Sequence, residues 1–175
     1  MRTTLITSTL QPRFRIGEIA RAAQRQLRGE RAAVSTVETD ALPHSALMAG
    51  GQHPVLRRAQ DTIASAGALV IVTPRYEPSG SDPLRTLLSD LPSSALRNKP
   101  VLPIGLGAIR SQATGLARVA RPDETVTLPG CFLYDTWLEN RLDHWRLTPK
   151  ATHHLTRALR TLAAALTPEP ERLAS

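Results

Sequence analysis

Short apolar runs alternate with amphipathic stretches over the first two thirds of this chain. Four runs rich in β-branched and aliphatic residues predict buried strands: Thr3–Thr7, Ala32–Val37, Ala68–Val72 and Pro100–Ile104. Three segments with apolar residues at helical spacing predict helices, at about Ile16–Arg28, Pro54–Ala66 and Pro83–Asp90. Strands that alternate with helices predict βαβ units and therefore a parallel α/β sheet.

The pattern is weaker elsewhere. Asp40–Gln52 has no clear period and is expected to be a loop, while Ala113–Ala120 predicts a short helix. Val126–Leu133 predicts a fifth strand interrupted by a Pro-Gly pair, and Tyr134–Leu147 is ambiguous, with a hairpin-like excursion as one interpretation. A strong last helix is predicted from Thr148 to about Leu166.

These elements predict a single domain over residues 1–166, and residues 167–175, with two prolines, are expected to form a flexible tail. A length of 175 residues agrees with one domain. No run approaches the roughly 18 apolar residues that span a bilayer, and the N-terminus lacks the layout of a signal peptide. A lone cysteine, Cys131, cannot form an intramolecular disulfide and matches no metal-ligand spacing. We therefore expect a cytoplasmic protein without a metal site.

The net charge of +7 comes almost wholly from arginine, since Lys99 and Lys150 are the only lysines. This bias has two interpretations: the composition of a GC-rich genome, or a positive field that attracts anionic ligands such as nucleotides. Nucleic acid is disfavoured as a partner, because aromatic residues make up only 3% of the chain and no basic run is present.

The loop Thr73–Pro83 follows the third predicted strand. In an open parallel sheet, ligands lie beyond the carboxyl ends of the strands, so this loop is a candidate ligand site. Its prolines stiffen the backbone, Tyr76 is suited to lie near a flat ring, and Ser79 and Ser81 offer hydroxyls for a ligand or for a helix cap. The alternative is an ordinary turn rich in Pro, Ser and Gly.

The sequence TPRYEPSGSDPLRTLL at positions 73–88 resembles the segment of NAD(P)H-dependent FMN reductases, of the type that serves alkanesulfonate monooxygenases, that runs along the flavin ring. The matching positions are Thr73, Pro74, Tyr76, Ser81, Leu84, Thr86, Leu87 and Leu88. The resemblance implies a flavodoxin-like fold: a five-stranded parallel sheet of order 2-1-3-4-5 with helices on both faces. It also implies FMN and either NADPH or NADH as cofactors. Asp82 departs from the family, which usually has glycine there.

The first loop, Ser8–Arg15, departs further from the family pattern, in which Gly-Ser, an arginine and several serines cradle the FMN phosphate. Ser8 and Thr9 keep hydroxyl groups at this place. Arg13 and Arg15 stand where small polar residues are usual. Three alternatives remain open: the two guanidinium groups bind the phosphate, fill its site, or remain solvated.

In the loop after the fourth strand, Gly105–Ser111, Leu106 separates Gly105 from Gly107, so only one glycine can match the family's usual adjacent pair. Gly107 and Arg110 remain candidate neighbours of the flavin or the nicotinamide. By resemblance, Arg75 and Arg110 are expected to meet the phosphates of the nicotinamide cofactor. The resemblance assigns cofactor binding to these residues: Ser8, Thr9, Arg13, Arg15, Pro74, Arg75, Tyr76, Glu77, Ser79, Ser81, Gly107 and Arg110. No protein acid or base is expected to be catalytic, because the cofactors carry the hydride.

The favoured function is an FMN reductase that supplies reduced flavin to a partner monooxygenase, acting as a homodimer or homotetramer. The altered first loop favours a second hypothesis, a flavodoxin-like relative that has lost FMN and acts as a non-catalytic partner or scaffold subunit. A third is an enzyme that uses the same crevice for another anionic metabolite. Neither nucleic acid nor a membrane is expected as a partner.

Overall fold

Parallel strands form the centre of the protein in the computed structural model, which describes residues 2–49, 53–74, 83–109, 113 and 125–166. The strands of the main sheet are β1 (Arg2–Thr7), β2 (Ala33–Glu38), β3 (Ala68–Pro74), β4 (Pro100–Gly107), β5 (Val126–Thr127) and β6 (Cys131–Tyr134). They follow the order β2-β1-β3-β4-β5, with β6 also paired to β4, and every pair is parallel. The predicted order is therefore confirmed.

The predicted fifth strand forms as two short segments on the same edge of β4. β5 pairs with Pro100 and Val101, whereas β6 pairs with the last four residues of β4. The residues Pro129 and Gly130 lie between the two segments, outside the sheet. Proline has no N–H to donate to a ladder, so the interruption expected from the sequence is confirmed.

Helices cover both faces of the sheet. They are α1 (Arg15–Gly29), α2 (His44–Ala49), α3 (Pro54–Ala64), α4 (Pro83–Ser89), α5 (Ser93–Leu96) and α6 (Pro149–Leu166). α1 and α6 bury aliphatic residues against one face, together with Leu5 and Val70. α2 to α5 pack on the other face with Ile6 and Ile71, as alternation along a strand requires.

The segment Asp40–Gln52 was expected to be a loop, and this expectation was wrong for most of it. A 3-10 turn at Thr39–Ala41 and α2 occupy it, and residues 50–52 lie outside the described part. α2 forms because Ala46 is fully buried in the core, with Leu42 and Leu47 packed beside it. Six residues are too few for a visible helical period, so tertiary packing decides this element.

β4 is longer than predicted and ends at Gly107 rather than Ile104. Gly107 pairs with Tyr134 of β6 and is buried, so it belongs to the strand rather than to a loop. The helix predicted at Ala113–Ala120 lies outside the described residues except for Ala113. The tail expected at residues 167–175 lies outside them as well.

A two-stranded antiparallel hairpin separates β6 from α6. β7 (Leu138–Arg141) pairs with β8 (His144–Leu147), which gives the ambiguous segment its structure. The hairpin packs beside α1, and the Trp145 N–H donates to the Pro12 carbonyl over 3.0 Å. It therefore reaches the loop that follows β1. Within the described ranges, the model contains no helix with the length and apolar character of a membrane span.

Candidate functional site

The carboxyl ends of β1, β3 and β4 meet at one edge of the sheet. Thr7 pairs with Val72, and Pro74 pairs with Leu106. Pro74, the exposed last residue of β3, therefore lies opposite Leu106, the residue before the end of β4 at Gly107. Half of the predicted binding residues lie outside the described ranges: Arg75, Tyr76, Glu77, Ser79, Ser81 and Arg110. The described site therefore rests mainly on the loop after β1.

The first loop, between β1 and α1, is closed by its own hydrogen bonds. The Thr7 hydroxyl donates to the Thr9 carbonyl over 3.2 Å, and the Gln11 N–H donates to the Thr9 hydroxyl over 3.1 Å. The Phe14 N–H then donates to the Gln11 carbonyl over 3.1 Å. Thr7 and Thr9 are both buried, and their hydroxyl groups hold the conformation of the first loop.

Gly17 allows the first loop to lie against the first turn of α1. A Cβ atom at this position would lie 2.0 Å from the Gln11 carbonyl oxygen, far inside van der Waals contact. Gly17 was not among the predicted site residues. Glycine is unfavourable inside a helix, so its presence three residues into α1 is the signal that could have identified the contact.

A cavity of about 360 Å³ opens beside the first loop. Its described lining residues are Ser8, Thr9, Arg13, Phe14, Arg15, Ile16, Asp40 and Trp145. Four of the predicted binding residues, Ser8, Thr9, Arg13 and Arg15, are therefore brought together in one place. Two lining residues come from distant parts of the sequence, Asp40 from beyond β2 and Trp145 from the hairpin, and neither was predicted to approach the loop.

Arg15 is the most constrained side chain of this cavity. Its Nη1 lies 3.1 Å from Asp135 Oδ1, and its guanidinium carbon lies 4.2 Å from the ring centroid of Trp145. Its Nε is buried, and no acceptor for it is found among the described residues. A buried donor without an acceptor costs free energy, so this atom marks a place suited to an anionic ligand. Arg13 is exposed and lies over the Phe14 ring at 4.9 Å.

Two acidic residues from the end of β2 also approach the first loop. Glu38 Oε2 accepts the Leu10 N–H over 2.7 Å, and the Asp40 N–H donates to the Ser8 carbonyl over 3.0 Å. Neither residue was predicted. Glu38 is opposite Thr7 in the register of β1 and β2, which explains how it reaches a loop about 28 residues earlier in the chain.

The cavity fits an anionic group in part. The Ser8 hydroxyl, Arg13 and Arg15 Nε are suitable donors, and α1 begins here with N–H groups that have no acceptor within the helix. Against this, the Leu10 N–H already has a carboxylate partner, and Asp40 brings a negative charge to the wall. The donors present thus favour binding through arginine charge more than through loop amides.

Two reactive side chains in the described part of the chain, Cys131 and His154, have shifted pKa values. Burial raises the pKa of the Cys131 thiol to about 11, with Arg157 opposing the shift weakly, so the thiol is protonated at neutral pH. Burial lowers the pKa of His154, and the nearby charges of Arg157, His153 and Lys150 act in the same direction. The described part of the chain contains no cluster of metal-ligating residues.

A larger cavity, of about 800 Å³, lies between α1, the hairpin and the start of α6. Two short ion pairs line it, Arg25 to Glu18 at 2.9 Å and Arg141 to Glu139 at 2.6 Å. Its described lining includes no residue from the loops after β1, β3 or β4. Because its charges are largely paired and it lies away from the strand ends, it is not the candidate cofactor site.

Comparison with known proteins identifies the family of the chain. Residues 1–135 match the family model described as NADPH-dependent FMN reductase. A protein from Escherichia coli strain K12 named FMN reductase (NADPH) is 29% identical over 129 residues, which are 71% of this chain and 68% of that protein. One from Pseudomonas putida with the same name is 34% identical over 96 residues, 54% of this chain but only about half (49%) of that protein.

Solved structures show the same fold. An NADH:FMN oxidoreductase in its apo form superimposes with a TM-score of 0.77 and 20% identity, over 97% of this chain and 91% of that one. A flavodoxin of Streptococcus pneumonia TIGR4 gives a TM-score of 0.60 at 16% identity, over 93% and 97% of the two chains. Because the family model covers well over half of the sequence, the chain belongs to the NADPH-dependent FMN reductase family, which uses NADPH and FMN.

Proposed function

We propose that the protein is an NAD(P)H-dependent FMN reductase whose flavin lies across the carboxyl ends of β1, β3 and β4. The observation that carries the proposal is the buried Arg15 Nε, which lacks an acceptor among the described residues and lies at a cavity beside the first loop. Anionic groups are favoured where a helix begins next to arginine donors. The family membership supplies the identity of the anion, the phosphate of FMN.

In this proposal Ser8, Thr9, Arg13 and Arg15 hold the phosphate end of the flavin. Asp135 and the Trp145 ring fix the guanidinium plane of Arg15, so little side-chain entropy is lost when it binds. When bound, the flavin accepts a hydride from the nicotinamide, which requires no protein acid or base. The role of the chain is therefore to bind and orient the two cofactors.

The remaining site residues are proposed on the resemblance. Pro74 and Gly107, at the ends of β3 and β4, border the flavin ring. Tyr76, Glu77, Ser79 and Ser81 belong to the loop that would run along the ring. Arg75 and Arg110 would meet the phosphates of NADPH or NADH.

The proposed setting is the cytoplasm, in keeping with a chain that has a single cysteine. The proposal includes a homodimer or homotetramer, as expected from the resemblance. It also includes delivery of reduced flavin to a separate monooxygenase.

The test is to add FMN to the purified protein and to follow flavin fluorescence and the visible spectrum, then NADPH and NADH oxidation with excess FMN. The expected results are saturable quenching of the flavin and oxidation that depends on both protein and flavin. A folded protein that neither binds flavin nor oxidises either nicotinamide would overturn the proposal.

One observation favours the second candidate, a relative that no longer binds FMN. The Leu10 N–H is bonded to the Glu38 carboxylate, so a negative charge already lies beside the loop proposed to hold the phosphate. The same titration separates the two functions. If flavin binding is absent while the protein unfolds cooperatively on heating, the non-catalytic function is favoured.

A further inference from the structure

Glu38 is the last residue of β2 and lies directly opposite Thr7, the last residue of β1. Its side chain is partly buried and accepts the Leu10 N–H over 2.7 Å. A charge-assisted bond of this length is among the stronger hydrogen bonds of proteins. Glu38 therefore holds the first loop in place by occupying one of its backbone donors.

This bond has a consequence for an anionic ligand. Leu10 follows directly on Ser8 and Thr9, which line the cavity. A loop that binds phosphate through its backbone needs its N–H groups unoccupied. Here a carboxylate from the neighbouring strand has taken one of them, so the ligand loses a donor and gains a nearby negative charge.

The charges around the first loop point the same way. Among the described residues, Arg13 and Arg15 are the basic side chains at the cavity, and the carboxylates of Glu38 and Asp135 bond to the first loop and to Arg15. Asp135 is already paired with Arg15. Of these two arginines, Arg15 is thus already paired, and the start of α1 adds only a partial positive charge. The site accommodates an uncharged flavin side chain more easily than a phosphate dianion.

We propose that Glu38 is a specificity-determining residue that weakens the binding of phosphorylated flavins, so that the protein accepts riboflavin at least as well as FMN. The inference rests on the proposed function, because it concerns the same flavin site. It differs in predicting which flavin is preferred and which residue sets the preference. Glu38 acts on the ligand through charge and through the loop donor that it occupies.

The experiment measures dissociation constants for FMN and riboflavin by fluorescence quenching, at low and at high salt. Glu38→Gln keeps an acceptor for the Leu10 N–H but removes the charge. We expect about fivefold to tenfold tighter FMN binding, and riboflavin binding unchanged within about twofold, since only FMN carries a dianion. Salt should reduce the difference between the wild type and the variant.

Glu30→Gln is the matched control. It removes the same charge just beyond the C-terminal end of α1, about 20 Å along the helix from the first loop. It should leave both constants unchanged. Glu38→Asn is a second test variant, which also removes the charge and is expected to tighten FMN binding in the same direction. It keeps the proposal testable if Glu38→Gln unfolds.

The outcomes distinguish the two proposals. If the wild type binds both flavins and Glu38→Gln changes both constants equally or neither, the role of Glu38 is refuted and the reductase proposal stands. A wild type that prefers FMN strongly over riboflavin also refutes the inference. If the wild type and both variants bind no flavin, both proposals fail together. If only the variants bind FMN, the inference is supported and the wild type is not an FMN reductase.

Discussion

A buried polar atom without a hydrogen-bond partner among the described residues lies near each end of β1, and the two atoms have different consequences. Near its amino end, the hydroxyl of Thr3 is buried and has no hydrogen-bond partner among the described residues. Beyond its carboxyl end, Arg15 Nε is in the same state. Thr3 is fully enclosed by the sheet and its helices, whereas Arg15 lines a cavity. An unsatisfied buried group is a cost to folding in the first place and a candidate ligand contact in the second.

The largest effect is expected at the carboxyl end, from Gly17→Ala. The new methyl group would meet the Gln11 carbonyl oxygen at 2.0 Å, so the first loop must move away from α1. Overpacking against backbone that cannot shift freely costs about 3 kcal/mol in the free energy of unfolding. The measurement is denaturant unfolding, together with FMN binding, which should weaken when the loop moves.

Gly29→Ala is the control for this variant, at the other end of the same helix. A Cβ atom at Gly29 has no neighbouring atom within 4 Å. Alanine should therefore stabilise the protein by about 0.5–1 kcal/mol through its better helix propensity. Equal destabilisation by both substitutions would show that the contact with Gln11 is not what requires glycine at position 17.

The next prediction concerns Lys99, at the amino edge of the sheet, whose side chain caps the C-terminal end of α3. Its ammonium group donates to the Ile63 and Ala64 carbonyls over 2.8 and 2.6 Å, at the end of α3, and burial lowers its pKa. Lys99→Met removes these bonds and should cost about 2 kcal/mol of unfolding free energy, without changing FMN affinity. The same change at Lys150, which lies over the Trp137 ring at 4.5 Å, should cost less than about 1 kcal/mol. A loss of FMN affinity in Lys99→Met would contradict the separation of the two edges.

The fold was predictable where the chain repeats a regular pattern. The strands β1 and β3 are continuous apolar runs, and the helices α1 and α6 repeat apolar residues at helical spacing. Their predicted positions were confirmed within about two residues. α2 was missed because a single residue, Ala46, anchors six residues in the core. The end of β4 was missed because its last residues, Gly105 to Gly107, are held as a strand by pairing with distant segments, β6 on one side and, for Gly105 and Leu106, the end of β3 on the other.

The candidate site was predictable only within one loop. Ser8, Thr9, Arg13 and Arg15 are neighbours in sequence, and the structure places them around one cavity. The residues that bond to this loop or to Arg15 come from three other places: Glu38 and Asp40 at and just beyond the end of β2, Asp135 after β6 and Trp145 in the hairpin. No local pattern encodes a bond such as Arg15 to Asp135, which spans 120 residues. Such pairs depend on topology, so sequence alone left the role of Arg15 open.

Arg15 provides the next prediction, at the carboxyl end. Arg15→Met should weaken FMN binding about tenfold, equivalent to about 1.4 kcal/mol, because the cavity loses a guanidinium. Riboflavin binding should change less than about twofold. Arg15→Lys retains the positive charge but lacks Nε, so an intermediate FMN affinity is expected if that atom contacts the phosphate.

Arg21→Met is the control for Arg15→Met. Arg21 is exposed on α1, and its substitution removes the same charge. Full FMN affinity in Arg15→Met would contradict the assignment of this cavity to the phosphate. Equal losses in Arg15→Met and Arg21→Met would instead attribute the effect to net charge.

The smallest effect is expected at the amino end, from Thr3→Val, and it has the opposite sign. Valine matches the shape of threonine and removes a buried hydroxyl that lacks a partner, so the protein should gain about 1 kcal/mol of unfolding free energy. Thr4→Val, one residue later, removes a hydroxyl that donates to the Thr62 carbonyl over 3.2 Å and should cost about 0.5–1 kcal/mol. Neither variant should change flavin affinity. If Thr3→Val destabilises the protein as much as Thr4→Val does, the Thr3 hydroxyl has an acceptor after all, and its contrast with Arg15 Nε would no longer hold.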